Sequence, residues 1–314
     1  MLIKRLNLKK ILSFNDCAVE LGQLNVLIGP NAVGKSNLIE VIGLLKAAPA
    51  SLPSAILLGG GVRQWIWLGD RAPSPIATVD CEMHLPSVHR GSNHQAVDRV
   101  NYTLQFSENS NGFVILNERL TGGELGQNER VYLDRAELST SPQPGAFPRE
   151  IAFLSNESVL SQYKNPADTT PITEVGFQLS RIRILREFKT GLQSAARTGV
   201  STSLQKDTLH DGSDNLALVL QDLDFLGAHD QIRSFMRRFC ERFEDVKVSI
   251  GEGLARTFLR EAGLAEMLSA IRMSDGTLKF LSLLAALFHP SRPRLMCIEE
   301  PETGLHPDAL QLVA

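Results

Sequence analysis

No two cysteines of this chain form a C-x-x-C pair. Cys17, Cys81, Cys240 and Cys297 are scattered along 314 residues, which argues against a zinc site and a disulfide framework and leaves buried free thiols as the expectation. The N-terminal stretch MLIKRLNLKKILSF lacks the apolar core and small-residue cleavage site of a signal peptide. The longest candidate for a membrane segment, FLSLLAALF at 280–288, is less than half of what a bilayer requires. A cytoplasmic protein without a membrane partner is expected. A formal charge of −3 and a pI near 6.2 give no global attraction to nucleic acid, so DNA or RNA contact would need a local basic patch. There is no repeat, heptad run or low-complexity tract. What remains is ordinary globular composition, 43% hydrophobic, long enough for one large α/β domain or two smaller ones.

The chain does hold GPNAVGKS at 29–36. Gly29, Gly34, Lys35 and Ser36 match G-x-x-x-x-G-K-[ST], the phosphate-binding loop, with Pro30, Asn31, Ala32 and Val33 between them and Asn37 following. The apolar stretch Leu24–Ile28 before it reads as a buried parallel strand. After it, Leu38, Ile39, Ile42 and Leu45 recur at helical spacing. Loop N–H groups and the positive end of that helix would face phosphates, Lys35 would reach the β- and γ-phosphates, and Ser36 would place its hydroxyl on Mg²⁺. A glycine turn entering an ordinary helix fits the eight residues alone; the flanks favour the phosphate loop.

The residues before the loop alternate apolar and polar and read as two antiparallel strands. VRQWIWLGD reads as a short β segment or an ordered loop. From Ile76 to about Ala136, ATVDCEMHL, RVNYTLQFS, GFVILNERLT and RVYLDRAEL have period two and predict an antiparallel meander. Residues 139–150 form a breaker-rich loop, and 151–245 read as mainly helical, including VGFQLSRIRILREF.

A second cluster of chemistry lies at 294–307, RLMCIEEPETGLHP, which has the form of a Walker B strand. Leu295–Ile298 would lie beside the phosphate-loop strand, and Glu299 and Glu300 follow at the carboxyl end, where α/β sheets place ligands. Two adjacent acids after a buried strand are costly to desolvate unpaired. In a magnesium–nucleotide site Glu299 would orient Mg²⁺, through water, and Glu300 would polarise the attacking water. A solvated acidic turn is the competing reading. About twenty residues earlier, SDGTLKFLSLLAALF offers Ser274 as an N-cap and Gly276 as a place of close backbone approach; this stretch alone reads better as an ordinary capped core helix.

Together the three segments resemble the ATP-binding-cassette head, and more narrowly the RecF, SMC and OLD-type ATPases; IEEPETGLHP looks most like the OLD-like ATPases found beside anti-phage and DNA-repair genes. The resemblance implies an α/β P-loop NTPase with an antiparallel β subdomain and a helical lobe. One head would span 1–314: lobe I over roughly 1–140, a helical and signature lobe over roughly 150–290, and a Walker B segment at 294–314 returning to the lobe I sheet. It implies ATP and Mg²⁺, a homodimer that sandwiches ATP, and Ser274 and Gly276 acting in trans on a partner's γ-phosphate. His306 would be a cross-dimer contact or a helix cap, and Gln64, beside Arg63, is a candidate γ-phosphate sensor.

This sequence departs from the family pattern at Glu299, where Asp is usual, and at Asp275, whose charge would sit near an anionic ligand unless it points away. The switch histidine that follows Walker B in these ATPases is missing, and the chain stops at Gln311–Ala314; a truncated form with impaired hydrolysis is expected. An ATP-gated switch controlling a nuclease or other DNA-processing effector is the leading function, with a transporter ATPase subunit or a scaffold of little turnover as alternatives. Arg181, Arg183, Arg186 and Lys189, and Arg233, Arg237 and Arg238, are the candidate basic runs for DNA; solvated helix faces are the bland reading.

Overall fold

A computed structural model describes residues 2–69, 75–86, 98–110, 112–124, 127–135, 153–165 and 170–313. The chain divides into two units, Met1–Ile182 and Arg183–Ala314.

The first unit opens with the antiparallel pair β1 (Ile3–Ile11) and β2 (Phe14–Glu20). The expected strand at Leu24–Ile28 does not follow: those residues lie outside any strand, with Leu24 81% and Ile28 89% exposed. Apolar character alone does not make a strand; it needs a ladder partner, and here Asn25 diverts the local groups. Its amide donates to Gly22 O at 3.0 Å and its Oδ1 accepts from Gly22 N–H at 2.8 Å, a side-chain substitute for sheet bonding. The predicted helix is present as α1 (Lys35–Ala47), burying Leu38, Ile39, Val41, Ile42, Leu44 and Leu45.

Next come α2 (Leu52–Leu58), capped by Ser51, and the single turn α3 (Val62–Trp65). VRQWIWLGD is thus a helical turn followed by a bridge from Ile66 to Ile11, not a strand. The meander is as expected: β3 (Ala77–His84), β4 (Arg99–Asn109), β5 (Gly112–Glu124) and β6 (Gln127–Asp134). They complete a six-stranded antiparallel sheet of order β2-β1-β3-β4-β5-β6. Its buried face lines up Leu6, Cys81, Tyr102 and Leu120 across four strands. Cys81 is the one fully buried thiol among the four free cysteines, the others being partly exposed. The loop at 139–150 lies outside the described residues. Two helices, α4 (Val159–Gln162) and α5 (Ile172–Ser180), finish the unit, and α5 packs on both α4 and α1.

Glu118 sits in the buried face of this sheet with none of its surface exposed. Tyr102 Oη donates to it at 2.9 Å, Ser158 Oγ at 2.5 Å and the Val159 N–H at 2.8 Å, and Arg135 lies 3.5 Å away. Arg135 also donates to the carbonyls of Leu154 and Glu157, so the pair pins the start of α4 to the sheet.

The second unit begins with β7 (Arg183–Leu185), where a continuous helix was expected. The β-branched Ile184 and apolar Leu185, both buried, suit a strand once a partner is present. Then come α6 (Ala195–Thr198), β8 (Val200–Ser201), α7 (Leu216–Phe225) and α8 (His229–Phe239). The hairpin β9 (Phe243–Gly251) and β10 (Leu254–Glu261) carries β11 (Leu268–Ser269) and β8 on the edges of β10. The long apolar helix α9 (Asp275–Phe288) packs against α7 and α8, with Phe280 stacked on Phe239 at 4.4 Å between centroids. It is followed by β12 (Met296–Ile298) and α10 (Pro307–Val313). β12 pairs in parallel with β7, Cys297 opposite Ile184, rather than with residues 24–28. No helix among the described residues is long and apolar enough to cross a membrane.

Candidate nucleotide site

The phosphate loop turns back on itself before α1. Gly34 takes φ +102 as the helix N-cap, and Ala32 takes φ +66, an uncommon value for a residue with a Cβ. Lys35 Nζ donates to the carbonyls of Gly29 at 2.7 Å and Pro30 at 2.9 Å, closing the loop into a ring. A Cβ on Gly29 would come within 2.9 Å of Val33 Cγ1, and one on Gly34 within 2.9 Å of Ser13 Oγ. Both glycines therefore keep a cradle open that side chains would fill. The Leu38 N–H starts the helical ladder on Gly34 O, so the N–H groups of the preceding turn remain available to a ligand. Ser36 is exposed at this mouth. The residues present fit a phosphate group.

Other parts of the first unit support the loop. Asn37 Nδ2 donates to Ser13 Oγ at 2.8 Å, tying α1 to the β1–β2 turn. That turn is held in its place by Leu12 N–H on Trp65 O at 2.8 Å and Trp67 N–H on Lys10 O at 2.9 Å. These bonds bring Gln64 into one open cleft with Ser13, Asn37 and Trp67. Arg63 instead faces Glu108 at 4.0 Å.

In the second unit Ser274 caps α9, its Oγ accepting from the Thr277 N–H at 3.0 Å. Asp275 does not present a bare charge: Arg197 Nη2 meets its Oδ1 at 2.6 Å. The Arg197 hydrogen bond, followed by one from Thr190, lowers the Asp275 pKa. Arg197, 5% exposed, also donates to the carbonyls of Thr190, Ala270, Ile271 and Met273, fixing the turn that leads into the helix. A Cβ on Gly276 would lie 3.1 Å from Gly304 O. Its bareness thus admits another part of the chain rather than only a ligand.

Glu299 continues the parallel ladder by donating its N–H to Leu185 O at 2.9 Å, and its carboxylate lies 3.7 Å from Arg186 Nε. Glu300 is exposed and takes φ +44, in the left-handed region. Thr303 Oγ1 donates to its Oε2 at 3.1 Å. The Pro301–His306 segment is a run of turns, with Leu305 N–H on Glu302 O and Ala309 N–H on His306 O as α10 begins. Two acids on the mouth of a short strand, one held near a cation and one held open by a threonine, could serve a cation and a water respectively.

Two residues went unnoticed in the sequence. Lys279 carried a signal, a lone cation inside an apolar helix; Arg197, in SAARTG, carried none. The basic runs are largely committed internally: Arg183 to Thr208, Arg186 to Glu299, Arg233 to Asp245, and Arg238 over the Phe235 ring.

A family model described as "AAA domain, putative AbiEii toxin, Type IV TA system" matches residues 24–83 and 98–314. The chain belongs to this family. No curated protein matches this AAA-domain chain in sequence. Two solved structures resemble it in fold. One is an SMC head bound to the C-terminal winged-helix domain of ScpA, with TM-score 0.55, 12% identity, and 99% of this chain and 84% of that chain covered. The other is an SMC head with an extended coiled coil bound to the C-terminal domain of ScpA derived from Pyrococcus furiosus, with TM-score 0.54, 11% identity, and 99% and 85% covered. The chain is accordingly a member of this AAA-domain family whose α/β fold is similar to that of SMC heads.

Proposed function

We propose that the chain is an ATP-hydrolysing switch that closes head to head with a second copy on ATP and reopens on hydrolysis. The observation that carries the reading is the phosphate loop, ringed by Lys35 and kept open by Gly29 and Gly34. In this reading Gly29–Asn37 hold the triphosphate, and Lys35 leaves its loop carbonyls for the β- and γ-oxygens. Ser36 and Glu299 would hold Mg²⁺, which when bound supplies charge neutralisation at the phosphates. Arg186 lies 3.7 Å from the Glu299 carboxylate and would balance its charge when the cation is absent. Glu300 takes the proton of the attacking water.

The signature of one copy would meet the phosphates carried by the other. Ser274 and the first N–H groups of α9 would supply donors, and Arg197 removes the obstacle posed by Asp275. Both similar SMC heads are bound to part of another protein. By analogy, closure here would control a protein effector, a nuclease or other DNA-processing enzyme in an anti-phage or repair setting. Direct DNA contact has less support, because most of the candidate cations already have partners within the chain.

The test is ATP turnover and solution mass for wild type, Lys35→Ala and Glu300→Gln. Wild type should turn ATP over, Lys35→Ala should lose nucleotide binding, and Glu300→Gln should lock as a dimer with ATP. A Glu300→Gln protein that stays monomeric in saturating ATP would count against the switch.

A further inference from the structure

Lys279 lies in the second turn of α9, whose other buried residues are apolar apart from Ser282, and is only 9% exposed. An ammonium so placed needs partners to offset lost hydration. It has two on the same neighbouring turn: Nζ donates to the carbonyl of Glu300 at 2.9 Å and to that of Thr303 at 2.5 Å. The Phe188 ring lies beneath it, 5.4 Å from the ammonium to the centroid. One helical turn earlier and on the same face, Gly276 admits Gly304 O. The signature helix and the Glu300 turn are therefore joined at both ends of the turn. Glu300 itself has φ +44, a conformation that a residue with a side chain holds only where its surroundings impose it.

We propose that Lys279 is a positioning residue that holds the Glu300 carboxylate in working orientation and couples it to the signature. It grips the carbonyls on either side of the turn that presents Glu300. A shift of α9 when Ser274–Gly276 engage phosphate is carried through Lys279 to Glu300. The reading rests on Glu300 being the base for ATP hydrolysis. It places the effect of Lys279 in the chemical step and leaves nucleotide binding to the phosphate loop.

The test compares wild type, Lys279→Met, Lys279→Gln, Lys279→Arg, Glu300→Gln and the Lys279→Met/Glu300→Gln double variant, with ATP affinity, kcat, KM and melting temperature measured for each. Lys279→Met should lower kcat by about 10- to 100-fold, the loss typical of a displaced catalytic group, with ATP affinity and KM within about twofold of wild type. Lys279→Arg, still a cation, should recover much of kcat, and Lys279→Gln should fall between. In single turnover the double variant should be no slower than Glu300→Gln, because both changes act through one carboxylate. Should Lys279→Met not fold, the Gln and Arg variants decide the matter by the same split between kcat and affinity. Wild-type kcat in a folded Lys279→Met or Lys279→Gln, equal losses of affinity and kcat, or additive losses in the double variant would overturn the positioning role alone. A wild type without turnover, or a Glu300→Gln as active as wild type, would overturn the ATPase reading and this role with it.

Discussion

Arg197 and Asp275 meet at 2.6 Å, a guanidinium 5% exposed against a carboxylate 70% exposed at the start of α9. The asymmetry sets the outcome of changing each. Arg197→Met removes the cation that four backbone carbonyls and Asp275 share, and should cost about 3–5 kcal/mol, as expected when a buried network loses its central charge. Asp275→Asn leaves those carbonyls satisfied and should melt within a few degrees of wild type. Thermal unfolding of the two variants checks the contrast.

Asp245 makes stability depend on acid. Burial alone would raise its pKa, but hydrogen bonds from Arg233 and His229, with the charges of Arg233 and Lys247, outweigh burial and hold it well below the usual carboxylate range. A lowered folded-state pKa stabilises the protein above the unfolded value, about 4, and that stabilisation is lost as pH falls below it. Wild type should exceed Asp245→Asn by about 1.5–3 kcal/mol near neutrality, and the gap should close progressively below about pH 4. Urea titrations at a series of pH values measure this.

Glu118 should be far less tolerant. Glu118→Ala leaves Arg135 and the Tyr102 hydroxyl facing an empty buried space and should destabilise by about 3–5 kcal/mol. Glu118→Gln keeps the volume and some acceptors, and should cost less. Chemical denaturation of both variants tests the ordering.

Gly34→Ala combines a positive φ with a Cβ set 2.9 Å from Ser13 Oγ. Strain of about 1–2 kcal/mol in the loop should appear as roughly tenfold weaker ATP binding, readable by calorimetry. Gly34→Ala paired with Ser13→Gly relieves the contact but not the backbone strain, and should recover only part of the affinity.

Much of this architecture is legible in the sequence. The period-two runs from Ile76 onward became β3–β6, and the apolar spacing after Ser36 became α1, because both patterns report which face is buried. Leu24–Ile28 shows the limit: five apolar residues specify burial without naming the partner that provides it, and Asn25 bonded locally instead. Arg183–Leu185 was lost inside a helical pattern for the same reason, since three residues are too few for either period to declare itself. Motif spacing singled out Lys35, Ser274, Glu299 and Glu300 as candidates. Arg197 and Lys279 act by donating to backbone carbonyls brought near by the fold, and no spacing rule encodes that.

The 3.1 Å gap between the Cβ that Gly276 lacks and the carbonyl of Gly304 has a consequence for how relatives of this chain can diverge. Gly304 itself sits at φ +77, so its carbonyl cannot easily be redirected by a different residue. The Ser-x-Gly and Pro-Glu-Thr-Gly segments, nearly thirty residues apart, are therefore under a joint steric constraint. Exchange of one glycine alone is disfavoured, and an alignment of the family should show positions 276 and 304 drifting together or not at all.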